Sequence, residues 1–182
     1  MRFFMSPLFL LMISFFTLFA DDAKPEDPSI GGEAPAFSLP DMDNEYVFLR
    51  DFCGEKLRKS SIKEKKVVVI SFFSTTCLPC RKEIPQLIKL NETYKGKAVK
   101  ILLLAVGENR EVIAPYLAEH GISLPVLLDQ YQVVAKKYNV TSLPRLVVID
   151  PTGKVQRYKK GYDETEDFQM EMSELLDRLL VR

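Results

Sequence analysis

Three cysteines and one histidine stand among 182 residues, so the richest chemistry this chain can offer is thiol chemistry. Cys77 and Cys80 are separated only by Leu78 and Pro79. That spacing keeps the two sulfurs within bonding reach. Such a dithiol can exchange with a disulfide: Cys77 attacks, and Cys80 resolves the mixed disulfide. The attacking species is a thiolate, which needs surroundings that favour an anion. The start of an α-helix supplies them through unpaired backbone N–H groups and the helix dipole. Arg81 and Lys82 add positive charge, and Pro79 suits a first helical turn, where its missing N–H costs nothing. A structural zinc site is the competing reading, but it needs about four ligands. Cys53 and His120 could complete such a set only by coincidence.

The elements that would hold this dithiol can be traced from hydrophobic periodicity. Val67–Phe73 is apolar except for Ser71, as expected of a strand covered on both faces. The spacing of Ile84, Leu87, Ile88 and Leu90 predicts a helix over 80–94, kinked by Pro85. Cys77 then falls at or just before the helix N-terminus, with Cys80 one turn inside. A hairpin is predicted over 36–39 and 46–49, and a polar, basic loop over 51–66. Further on come a strand at 99–106, an amphipathic segment at 108–119, a strand at 126–128 and a short helix at 130–138. Strands at 146–149 and 154–158 are joined by a tight turn, and a closing helix spans 164–180. Strands alternating with helices predict an α/β fold with a mixed central sheet flanked by helices.

Composition bounds the class. The chain is 47% hydrophobic, enough for a core, and its formal net charge is zero, which argues against nucleic-acid binding. Arg2 is the only charge before Asp21, and 14 of the 18 residues at 3–20 are apolar. This pattern reads as a cleaved signal peptide ending at Ala20, or as an uncleaved membrane anchor. Either reading places residues 21–182 outside the cytoplasm, where disulfides persist. Residues 21–32 carry Pro25, Pro28, Gly31 and Gly32 among charges and form a linker; residues 33–182 form the domain.

The run from Phe72 to Pro85 resembles the active-site segment of the TlpA/ResA-type thioredoxin-like proteins, extracytoplasmic thiol–disulfide oxidoreductases of bacteria. The similarity extends from about Gly31 to Tyr162 and takes in the opening segment 32–41, Leu143-Pro144 and the turn at 148–155. It implies a thioredoxin fold with an N-terminal β-hairpin and an inserted strand–helix unit. It also implies a redox-active Cys77–Cys80 disulfide with no cofactor. Pro144 would be the cis-proline that faces the dithiol, positioning a bound polypeptide together with Leu143 and Thr76. Val106-Gly107-Glu108 matches a family segment whose carboxylate serves as proton acceptor or donor, which makes Glu108 a candidate for that role. One departure stands out. The family usually has Trp before the first cysteine; here that residue is Thr76, and the chain holds no Trp.

The resemblance implies reduction of protein disulfides, in cytochrome c maturation or envelope redox maintenance. Disulfide-bearing proteins would be the substrates, and a membrane thiol protein the electron donor. Two other functions compete. A thiol peroxidase needs a cysteine activated by nearby Thr and Arg, and Thr76 and Arg145 are available. A copper-binding module prefers three residues between its cysteines and a His late in the chain, which fits poorly. Outside the dithiol, Cys53 reads as a buried small hydrophobe, His120 as a helix-end residue, and the basic loop around Lys56–Lys66 as a solvated face. Arg145 could approach the dithiol or point away from it.

Overall fold

The computed structural model describes residues 27–59, 61–62 and 64–181. The signal or anchor segment at 1–20, the first half of the linker (21–26), and Ser60 and Lys63 of the basic loop lie outside the described residues.

A five-stranded sheet forms the centre, built from β3 (Val67–Phe73), β4 (Val99–Val106), β5 (Val126–Asp129), β6 (Arg145–Ile149) and β7 (Val155–Lys160). Its spatial order is β5-β4-β3-β6-β7. Strands β3, β4 and β5 run parallel, while β6 is antiparallel to β3 and β7 to β6. All seven residues of β3 are buried, as its apolar run requires of a central strand. The sheet is therefore mixed, as expected from sequence.

Helices α1 (Leu78–Thr93), α2 (Arg110–Glu119) and α4 (Phe168–Leu180) cover one face. Their buried residues, among them Ile84, Leu87, Ile113, Met172 and Leu176, pack on Val67, Val69 and Phe73. The other face is closed by α3 (Val133–Lys137) and by the hairpin β1 (Ser38–Pro40) and β2 (Tyr46–Phe48). There Phe37, Leu39, Val134 and Tyr138 meet Val68, Ile70 and Phe72. Two strand–helix pairs, β4–α2 and β5–α3, separate α1 from β6 and leave room for the expected insertion.

Local chemistry moved three boundaries away from the periodicity. Helix α1 begins at Leu78, not 80, because Cys77 itself is the N-cap. The closing helix begins at Phe168, not 164, because Asp163 turns the preceding segment and Asp167 caps the helix with a bond to the Met170 N–H. Helix α3 begins at Val133 because Gln132 takes a left-handed conformation (φ 57°).

Candidate functional site

The dithiol sits where the most buried strand hands over to a helix. After Phe73 the chain turns through Ser74-Thr75-Thr76, closed by the Cys77 N–H donating to the Ser74 carbonyl at 3.2 Å. Cys77 caps α1, its Sγ accepting from the Cys80 N–H at 3.2 Å. A thiolate at Cys77 would therefore meet an oriented donor and the positive end of a 16-residue helix. Cys77 and Cys80 form a disulfide, with Cα atoms 5.3 Å apart. Cys80 is fully buried beneath it, while Cys77 is half-buried and its neighbours Thr76, Leu78 and Pro79 are exposed. An incoming disulfide can thus reach one sulfur and not the other.

The cis bond Leu143–Pro144 places the second half of the site. Arg145 is in register with Phe72, so Pro144 lies level with Phe73, at the strand end that leads into the dithiol. Leu143 packs against the apolar cluster that contains Cys80 and touches Cys77. The Pro144 carbonyl accepts from the Gly161 N–H at 3.0 Å, which ties this loop to the end of β7.

Glu108 reaches the same loop from the end of β4. Its carboxylate accepts from the Thr75 N–H at 2.9 Å and from the Thr75 hydroxyl at 2.6 Å. The Thr75 carbonyl accepts from Arg81 at 2.9 Å. Both Glu108 oxygens accept from Thr75, so this carboxylate fixes the loop that carries Cys77. Thr76, which stands where an indole was expected from the resemblance, has its hydroxyl 3.3 Å from Ser74 Oγ. Its hydroxyl is engaged within the loop.

A second carboxylate was missed in the sequence. Glu83 is only 1% exposed and accepts from the Ser71 hydroxyl at 2.5 Å. Burial pushes its carboxyl up to about 7, with the Ser71 hydrogen bond and the Lys159 charge pulling the other way. It lies three residues after Cys80 on α1, hence on the same inward stripe. The signal was available in the sequence. Ser71 is the only polar residue of β3, and position 83 falls on the apolar face marked by Cys80, Ile84 and Leu87.

The remaining residues fall outside the site. Arg145 is buried on the opposite face of the sheet, with its guanidinium 4.9 Å from the Tyr158 ring centre and one bond to Ser142 Oγ. It points away from the dithiol. Cys53 is a free thiol, 1% exposed, in the cluster on that same opposite face, and burial pushes its thiol up to about 12. His120 is exposed at the end of α2, with its ring 4.3 Å from that of Tyr116. The two residues that would complete a zinc set with Cys77 and Cys80 therefore sit in separate places. Among the described residues, no three His, Cys, Asp or Glu side chains group closely enough to hold a metal.

Comparison with known proteins agrees with this geometry. The model of the AhpC/TSA family matches residues 30–158. The thiol-disulfide oxidoreductase ResA of Bacillus cereus (strain ATCC 10987 / NRS 248) is 32% identical over 147 residues, covering 81% of this chain and 79% of that protein. ResA of Bacillus subtilis (strain 168) is 32% identical over 139 residues, 76% of this chain and 72% of its own. Among solved structures, the thioredoxin domain of a thiol-disulfide oxidoreductase from Bacteroides vulgatus superposes with a TM-score of 0.67 at 24% identity, covering 81% of this chain and 98% of that one. A thioredoxin-family thiol:disulfide interchange protein from Chlorobium tepidum gives 0.64 at 24%, covering 85% and 99%. Both show a thioredoxin-like fold.

Proposed function

The chain belongs to the AhpC/TSA family and is a thiol–disulfide oxidoreductase of the ResA type; on that premise we propose that it reduces protein disulfides outside the cytoplasm through Cys77 and Cys80. The observation that carries this reading is the asymmetry of the pair. Cys77 is reachable at the cap of α1, and Cys80 is sealed beneath it.

In the reduced protein the Cys77 thiolate attacks one sulfur of a client disulfide, and the other client sulfur leaves as a thiolate. The Cys80 thiolate then attacks Cys77 Sγ and releases the second client sulfur. Two electrons have passed to the client, and the Cys77–Cys80 disulfide remains. Cys80 must lose its proton inside an apolar cluster. Glu83, buried on the same helix face and poised near neutrality, is the acceptor. Glu108 holds the Cys77 loop through Thr75; exposed Thr76 and half-buried Leu143 form the surface on which the client chain lies, with the buried Pro144 supporting it from beneath.

A membrane-embedded thiol protein restores the dithiol, and clients include apocytochrome c or oxidised envelope proteins. Residues 3–20 support export, either as a cleaved signal or as an anchor. Among the described residues, no helix is long and apolar enough to cross a membrane. The peroxidase alternative loses its arginine, because Arg145 faces the other side of the sheet.

Equilibration of residues 21–182 with thiol buffers tests the direction of transfer. A potential near that of thioredoxin, about −270 mV, supports a reductase, whereas one near about −120 mV makes the protein a disulfide donor instead.

A further inference from the structure

The chain enters the domain along β7. The Gly31 N–H donates to the Val155 carbonyl at 2.7 Å, and the Val155 N–H donates to the Gly32 carbonyl at 2.9 Å. Glu33 pairs with Lys154 in an antiparallel bridge. Followed backwards, the segment climbs from the start of β7 to its end. There Asp27 pairs with Lys160 at 2.6 Å and accepts from Asn139 at 2.8 Å.

Strand register says which end this is. Lys160 is opposite Arg145, and Arg145 is opposite Phe72. Phe73 leads into the dithiol, and Pro144 precedes Arg145. Asp27 therefore lies at the dithiol end of the sheet, beside Lys160 of β7, which is itself displaced sideways from β3 by two strand spacings, about 10 Å. The opposite end holds the turns at Lys95–Lys97 and Pro151–Gly153. Only residues 21–26 separate Asp27 from the apolar segment at 3–20. Fully extended, those six residues reach at most about 20 Å.

We infer that, with residues 3–20 retained in the bilayer, the dithiol end of the domain faces the membrane surface and is presented to a partner whose exchangeable thiols lie at that surface. This deepens the proposed function, because it rests on an exported thiol–disulfide oxidoreductase with an anchor. The pivot sits at the dithiol end, and its tether is no longer than the domain. Helix α1 alone separates Leu78 from Lys95 by about 25 Å along its axis. The attachment point therefore starts at the dithiol end, and the far turns lie about 25 Å further along the α1 axis from it. A membrane-embedded dithiol protein fits such a surface better than a freely diffusing one.

The test uses the full chain in vesicles of phosphatidylethanolamine and phosphatidylglycerol that carry an acceptor dye on a lipid headgroup. Leu78→Cys and Lys95→Cys are each made in a Cys53→Ala, Cys77→Ser, Cys80→Ser background and labelled with a donor dye. A cooperative urea transition confirms that each labelled variant is folded. Energy transfer to the headgroups is expected to be severalfold stronger from position 78 than from position 95. In the otherwise unaltered reduced chain, Cys77 should react severalfold more slowly with a bulky maleimide–polyethylene glycol in vesicles than in detergent. Equal or stronger transfer from position 95 overturns the orientation. So does a chain cleaved after Ala20 and released from the vesicles. Insulin reduction by the otherwise unaltered chain reads the underlying activity separately: its loss would sink the proposed function, while its survival confines the failure to the orientation.

Discussion

Cys53 and Glu83 are the two buried titratable side chains whose burial matters most to the thiol chemistry, and they do opposite things. Cys53 has its thiol pushed up to about 12 by burial and lies on the face of the sheet away from α1, so it is inert. Cys53→Ala is expected to leave insulin reduction unchanged; a folded variant that loses turnover would assign Cys53 a place in the cycle. Glu83 stores a pH dependence. Its carboxyl stands at about 7 in the fold against an ordinary 4.5. Between those values the unfolded chain has released the proton that the folded chain still holds, so folded stability falls as pH rises through this window. The penalty is absent below the ordinary value and complete above the raised one, amounting to about 3 kcal/mol. Glu83→Gln keeps an acceptor for Ser71 and removes the titration. The urea midpoint of the variant should gain on the wild type from about pH 5 to about pH 8, and a constant offset would mean that another group titrates. At this scale the dithiol and Pro144 were legible because spacing and proline chemistry are local. Glu83 was marked only indirectly, by a lone polar residue in β3 and an acidic residue on the apolar stripe of α1, and pairing these two across twelve positions takes the fold.

The elements themselves were legible where periodicity is long. Strands β3 and β4 and helix α1 were read almost to the residue from their apolar patterns. The misplaced ends were set by side-chain caps. Asp129 shows why such devices escape a pattern search. It is 1% exposed at the end of β5, and its carboxylate accepts from the Val134 and Ala135 N–H groups at 3.2 and 2.7 Å. It thereby starts the five-residue α3, whose own N-cap residue makes no side-chain bond. Asp129→Ala would leave those two amides without their acceptor and is expected to cost about 2 kcal/mol, read as a lowered urea midpoint with unchanged slope. No loss would show that α3 is held by packing alone. Glu108 plays the comparable part for the Cys77 loop. Glu108→Ala should slow insulin reduction, while Glu108→Gln, which still offers an acceptor to Thr75, should retain most of the rate. Equal loss in both variants would point instead to a requirement for the charge.

At the scale of the whole molecule, the order β5-β4-β3-β6-β7 puts the strand that feeds the dithiol at the centre, beside the strand that follows the cis-proline. Neither neighbour relation is visible in a linear sequence, although the family resemblance implied both. The same order decides between thiol functions. Arg145 enters β6 with its side chain on the hairpin side, so the arginine that the sequence offered for peroxidase chemistry is separated from Cys77 by the sheet. Hydrogen peroxide should be consumed no faster than by a free thiolate, in the same preparation that reduces insulin. Rapid peroxide turnover would reverse that assignment.

The division of labour between Cys77 and Cys80 is tested most directly by trapping. Reduced Cys80→Ser protein is mixed with an oxidised protein client and resolved on a non-reducing gel, with the linked cysteine identified by mass spectrometry. A stable mixed disulfide through Cys77 is expected, whereas Cys77→Ser should trap nothing because Cys80 is sealed from the client. A client captured through Cys80, or no capture by either variant, would contradict the account.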